Sequence, residues 1–231
     1  MAAPAQERLN LREQRRKAMA FIETIPAGEA QGALCDMYHR QQASWGHVPN
    51  YAKVFCYRPE VMARWGRLLA EIKRPLSKRC FELVTFTAAH ELRHSACALA
   101  HGRALTEFFS EEQVVAIAES RLDGVLSEAE RTVVEFARCI ARDASSVGPA
   151  QIASLERHGY SAAEIFDIAA AAAGRAFFTK LLDALGVLPD STFLACDEAF
   201  RRTLTVGREI DTDECQTMPV VEPDSTQWES G

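Results

Sequence analysis

The sequence lacks the patterns that mark several protein classes. No stretch alternates apolar and polar residues long enough to make a strand, which argues against a sheet. No apolar run spans a bilayer: residues 163 to 185 are alanine-rich, but Glu164, Asp167, Arg175, Lys180 and Asp183 interrupt them. The first residues, MAAPAQERLN, turn charged before any apolar leader can form, so a cytoplasmic protein is expected. An excess of basic residues is absent too. The net charge is −6, and Arg12, Arg15, Arg16 and Lys17 form only a short run that reads as a solvated helix face, so no nucleic-acid partner is expected. The seven cysteines, at 35, 56, 80, 97, 139, 196 and 215, are odd in number and include no CxxC pair. Most of them should be buried thiols in a reducing compartment.

What is present is helical. Residues 6 to 23 read as an amphipathic helix ended by Pro26, a second helix covers 29 to 45, and Pro49 and Pro59 suit first helical turns. After Pro59, Val61, Met62, Trp65, Leu68, Leu69 and Ile72 recur at helical spacing until Pro75. Ser77 is an N-cap candidate. Ser110 with Gln113, Ser127 with Glu130 and Ser161 with Glu164 have the spacing of capping boxes, while Gly124, Gly148, Gly159 and Gly186 mark helix ends. The expected fold class is all-α. Residues 1–24 form an N-terminal helical extension and 25–206 the helical domain. The acidic segment 207–231 carries seven acids against Arg208 and reads as a disordered tail, with the lone Trp228 as a candidate contact point.

The reactive side chains gather in residues 82 to 101, ELVTFTAAHELRHSACALAH, which hold Glu82, His90, Glu91, His94, Cys97 and His101. On a continuous helix His94, Cys97 and His101 share one face, and an imidazolium beside a thiol lowers its pKa toward neutrality. Three readings compete. Cys97 is a redox nucleophile with His101 as proton carrier and Glu82 as base, which requires a bend or hairpin so that Glu82 folds back onto the thiol. Alternatively, His90, Glu91 and His94 spell the HExxH of a zinc protease, although Cys97 and Ala100 stand where its extended form needs Gly and His. A non-proteolytic metal centre from His90, His94, Cys97 and His101 is the third; along one helix these residues span about 16 Å, too far for one ion. A buried thiol with two satisfied histidines stands beside all three. Whether the helix breaks near Arg93 to Ser95 is left open by periodicity.

The spacing is specific enough to name a family. Glu82, eleven residues, His94, two residues, Cys97, three residues and His101 resemble the Glu, eleven residues, CxxCxxxH pattern of the alkylhydroperoxidase AhpD and carboxymuconolactone decarboxylase family. VPNYAKVFCYRPEV, LSEAERTVVEFARCIARDASSV and LLDALGV are similar to its peroxidase-related branch, over residues 25 to 190. The resemblance implies a helical bundle with a helical-hairpin core, usually a homo-oligomer. It places Cys97 as peroxidatic-type thiol and Glu82 and His101 in a proton relay, and implies a small-molecule substrate, with no cofactor and no metal. His94 stands where the family's first cysteine would be, so the vicinal dithiol cannot form and a resolving thiol must come from a small-molecule reductant, a second chain or a distant cysteine such as Cys80. His94 would then tune Cys97 or act as a second acid/base. The expected function is a thiol-based oxidoreductase acting on a hydroperoxide or other small electrophile. The alternative is a non-redox lyase, isomerase or decarboxylase, or a metal-assisted enzyme, on a small organic acid through His94, His101 and Glu82; an interaction protein working through the acidic tail is a third.

Overall fold

The computed structural model describes residues 19–219. Those residues form ten α-helices: α1 Gly32–Trp45, α2 Asn50–Lys53, α3 Pro59–Lys73, α4 Lys78–Glu91, α5 Ser95–Leu105, α6 Glu111–Ala118, α7 Glu128–Asp143, α8 Pro149–Arg157, α9 Ala162–Ala184 and α10 Glu198–Leu204. One short 3₁₀ turn precedes α1 and two more join later helices, and among the described residues there is no strand, as the absence of alternation predicts. The helix starts follow local chemistry. Ser77 caps α4 by accepting from Cys80 N (3.2 Å), and all three capping boxes are made in full at α6, α7 and α9. Pro59 and Pro149 occupy first turns. Of the expected helix ends, Gly159 and Gly186 follow α8 and α9, whereas Gly124 lies in the turn between α6 and α7 and Gly148 caps the start of α8.

The centre of the fold is α4. Every residue from Phe81 to Ala89 is buried, and the helix packs on α5, α7 and α9. A helix buried all round must be apolar all round; Glu82, Thr85 and Thr87 are the departures. The alanines of α9 let it approach closely, with Ala171 and Ala172 fully enclosed. α4 and α5 form the hairpin. The break lies where helical hydrogen bonding would have continued: Arg93 takes a left-handed conformation (φ 56°), His94 N bonds Ala89 O (3.0 Å), and α5 starts afresh at Ser95. The chain therefore reverses and faces α5 toward α4.

At the N-terminus, residues 6–18 of the expected helix lie outside the described residues, and 19–22 form a bend: Phe21 N bonds Leu185 O (2.7 Å) and Met19 O accepts from Leu188 N (2.9 Å). Part of the acidic segment departs from the disordered reading. Up to residue 219 it is laid across the helices, with Gly207 N on Ser95 Oγ (2.8 Å), Arg208 Nη2 on Asp183 O (2.8 Å), Asp211 N on Pro189 O (2.9 Å) and Val48 N on Gln216 O (2.8 Å). Asp211 and Met218 are buried. Gly207 sits so near Arg93 O that a Cβ there would clash with backbone, which ties this strap to the hairpin break. Trp228 lies outside the described residues.

Candidate active site

Cys97 is the third residue of α5, and His94 is the cap. The ring Nδ1 of His94 accepts from Cys97 N (3.1 Å), in the place usually taken by Ser, Thr, Asp or Asn. His94 is thus fixed over the thiol that it neighbours in sequence. Position and partners then set the sulfur's chemistry. A helix N-terminus favours negative charge, and from α9 Arg175 Nη1 donates to Cys97 Sγ at 3.5 Å. Burial pushes the thiol up, but the charges and hydrogen bonds of His94 and Arg175 outweigh it and hold Cys97 below the ordinary cysteine value. Burial likewise opposes a charged His94, while the adjoining Cys97 sulfur and Asp183 favour it and prevail.

Glu82 comes back from α4, as the hairpin requires. Its Oε2 lies 2.6 Å from His101 Nδ1, and Lys73 Nζ stands 3.8 Å from Oε1. Burial raises the carboxyl, yet the hydrogen bond and charge of His101, then Lys73 and Arg175, bring it below the usual range. Burial, then Arg175, keeps the His101 ring below its ordinary value despite Glu82. The consistent state is a neutral His101 donating Nδ1–H to the Glu82 carboxylate, with Nε2 a free base. His101 is one turn beyond Cys97 on the same helix.

Both groups open on a cavity of about 530 Å³. Its walls are mainly apolar and aromatic, from Trp45, Tyr51, Met62, Trp65, Phe81 and Phe178. Cys97, Glu82, His101, Lys73, Arg103 and Arg175 supply polar points on this wall. The size and lining suit a small organic ligand. His94 is not on the cavity wall; it is enclosed behind Cys97.

The two metal readings are not supported by this arrangement. His90 lies in α4 and packs on Phe86 (ring centroids 5.9 Å), Glu91 is paired with Arg142 (2.8 Å) and Arg138 (3.6 Å), and His94 belongs to the next helix. The hairpin break therefore destroys the one-face geometry that HExxH needs. Among the described residues His90, His94, Cys97 and His101 do not converge on one point. Cys80 is likewise away from the cavity. Burial, with Glu130 and Glu164 nearby, pushes its thiol up to about 11, so a same-chain resolving role for it has no geometric support.

Arg175 escapes the sequence reading. It stands inside AAAAAGRAFF, where it reads as an interruption of an apolar stretch, although a lone arginine on a buried helix is itself a sign of a partner. Lys73 and Arg103 carry no such sign.

No family model matches the sequence, and no curated protein does. Solved structures do. An uncharacterized peroxidase-related protein with an AhpD core from Ralstonia eutropha JMP134 is 17% identical with a TM-score of 0.67, over 83% of this chain and 99% of that one. A peroxidase-related protein from Silicibacter sp. TM1040 is 19% identical with a TM-score of 0.65, over 74% and 92%. The debrominase Bmp8, solved apo and, as a variant, in complex with 2,3,4-tribromopyrrole, is 18% identical with a TM-score of 0.59, over 74% and 89%. Identities this low speak for architecture, and the all-helical chain described above has the AhpD-like fold of the peroxidase-related proteins.

Proposed function

We propose that the protein is a cofactor-independent thiol oxidoreductase that reduces an organic hydroperoxide, or a similarly small electrophile, at Cys97. The observation that carries this is the placement of Cys97 Sγ on the cavity wall, at a helix N-terminus, between His94 and Arg175. His101 Nε2 takes the thiol proton. The thiolate attacks the terminal peroxide oxygen, the O–O bond breaks, and sulfur is oxidised by two electrons to the sulfenic acid while the peroxide is reduced by two. His101, held by Glu82, returns the proton to the departing alkoxide, giving the alcohol. An external thiol then condenses with the sulfenic acid, releasing water, and a second thiol frees Cys97 as the mixed disulfide breaks.

The apolar walls favour an organic hydroperoxide over hydrogen peroxide. The likeness to a debrominase supports keeping other electrophiles with a flat apolar body in view. The non-redox alternative through His94, His101 and Glu82 loses one of its three groups, because His94 does not reach the cavity. A homo-oligomer fits the exposed Val61 and Leu68 of α3 and Phe166 and Phe177 of α9, which a second copy would cover. No helix among the described residues is long and apolar enough to cross a membrane.

The test is consumption of a bulky organic hydroperoxide with a monothiol reductant, together with mass spectrometric trapping of the sulfenic acid. Turnover and the adduct should both vanish in Cys97→Ser; full activity in that variant overturns the proposal.

A further inference from the structure

A second cluster, which the thiol mechanism does not use, includes two residues that line the same cavity, His47 and Asp190. His47 is 92% removed from solvent, since 8% of its surface remains, and its ring is oriented by its own backbone. Nδ1 lies 3.1 Å from Trp45 O. A carbonyl only accepts, so Nδ1 carries the proton and Nε2 presents a lone pair. That buried atom has no hydrogen-bond partner. It faces Asp190 Oδ1 at 3.5 Å, an acceptor opposing an acceptor. The buried Lys53 donates to Asn50 Oδ1 (2.9 Å) and acts on Asp190 and Cys215 only through space, with no ion pair to Asp190 among the described residues. The carboxylate is fixed by Asn50 N (2.8 Å).

The third member is Cys215, on the strap. His47, Asp190 and Cys215 each offer one ligand atom, and these atoms lie within 4.8 Å of one another. Nitrogen, carboxylate oxygen and thiolate at zinc distances of about 2.0–2.3 Å stand roughly 3.3–3.6 Å apart in a tetrahedron. The His47 to Asp190 separation already meets this; Cys215, outside any helix and now 3.4 Å from Ser191 Oγ, would move to close the rest.

We propose that His47 Nε2, the Asp190 carboxylate and the Cys215 thiolate bind one divalent cation of the zinc class. Its fourth position faces the cavity, because His47 and Asp190 both line it. Binding displaces the Cys215 proton to solvent and draws none from His47. The three ligands come from the loop before α2, the turn after α9 and the C-terminal strap, so the ion pins the strap to the body.

The full chain, stripped with a chelator, is titrated with Zn²⁺ against a competing indicator. One equivalent should bind, at least about 100-fold more weakly in Cys215→Ser and in His47→Gln. Co²⁺ should give a thiolate charge-transfer absorption that Cys215→Ser abolishes and Cys97→Ser keeps, and Zn²⁺ should slow proteolysis within 207–219. Cys215 is only partly buried and outside any helix, and circular dichroism verifies that its variant is folded. No stoichiometric binding, equal affinity in wild type and Cys215→Ser, or an absorption that disappears with Cys97→Ser instead, each overturns the site. None of these readouts uses peroxide turnover, so they stand apart from the fate of the thiol mechanism.

Discussion

Replacing Arg175 by methionine removes a charge while nearly keeping the volume. The guanidinium Nη1 is 3.5 Å from Cys97 Sγ. Two unit charges at that distance interact by about 5 kcal/mol at an effective dielectric near 20. Both residues are buried, so solvent screening takes little away. At 1.36 kcal/mol for each pH unit, and allowing for relaxation, the Cys97 midpoint should rise by about two to three pH units in Arg175→Met. The assay is the rate of iodoacetamide alkylation at Cys97 across pH. Stability supplies a second reading. The folded thiol loses its proton at lower pH than the unfolded one, near 8.5, so between those values the unfolded chain holds more protons. Wild-type stability should therefore rise with pH through that window and fall away as pH drops through the folded midpoint; the variant should lack the slope. Arg175 Nε has no partner, but removing one member of a buried charge pair is destabilising while the other stays charged. Arg175→Met should accordingly melt earlier than wild type where the wild-type Cys97 is ionised, and the gap should close as pH falls through the folded midpoint. A midpoint that moves by less than about half a pH unit in a folded variant refutes the assignment of Arg175 to the thiolate.

The relay and the tuning are separable by mutation. In Glu82→Gln, peroxide turnover should fall by about 10²–10⁴ with the alkylation midpoint unmoved, because the groups acting on Cys97 are His94 and Arg175; a midpoint that shifts with Glu82→Gln contradicts the separation. His94→Asn keeps a good cap on α5 and removes the titratable ring. Its melting temperature should hold while the Cys97 midpoint rises, and His94→Ala should show the same rise plus a loss of about 1 kcal/mol in chemical denaturation.

Much of the site was legible because spacing encodes it. Cys97 and His101, four apart, must share a helix face, and a relay from Glu82 demanded the hairpin that α4 and α5 make. The break itself was hidden, since the apolar pattern runs through Leu92 and no Gly or Pro marks the turn; Arg93 adopts the left-handed conformation instead. His94 was placed on the shared face as a helical residue, whereas it precedes the helix and acts through its cap. Arg175 reaches Cys97 across 78 positions, a contact that tertiary packing alone creates. The strap was misread because composition counts charges and does not see that Asp211 meets Asn50 Nδ2 at 3.0 Å in a buried pocket.

The histidine at 94 also constrains the order of the reaction. While Nδ1 accepts from Cys97 N it cannot hold a proton; when it takes one, the cap is lost. Generating the thiolate by proton transfer to His94 therefore costs about 1 kcal/mol of helix stability, a cost that transfer to His101 avoids. This favours His101 as the acceptor of the thiol proton and leaves His94 behind the sulfur, where Cys97 and Asp183 favour its protonation only at the expense of the cap. Under the proposed mechanism, with no second thiol of the dithiol pattern at 94 and Cys80 off the cavity wall, the oxidised Cys97 would be met by a reductant entering the same cavity of about 530 Å³ that admits the peroxide. The two substrates then occupy one site in turn, with the alcohol gone before the thiol arrives. Initial rates should give parallel double-reciprocal lines as both concentrations are varied, with each substrate inhibiting competitively against the other at high concentration. Intersecting lines would mean that peroxide and reductant are bound together, and would require a second entrance to Cys97 that the enclosed side behind His94 does not offer.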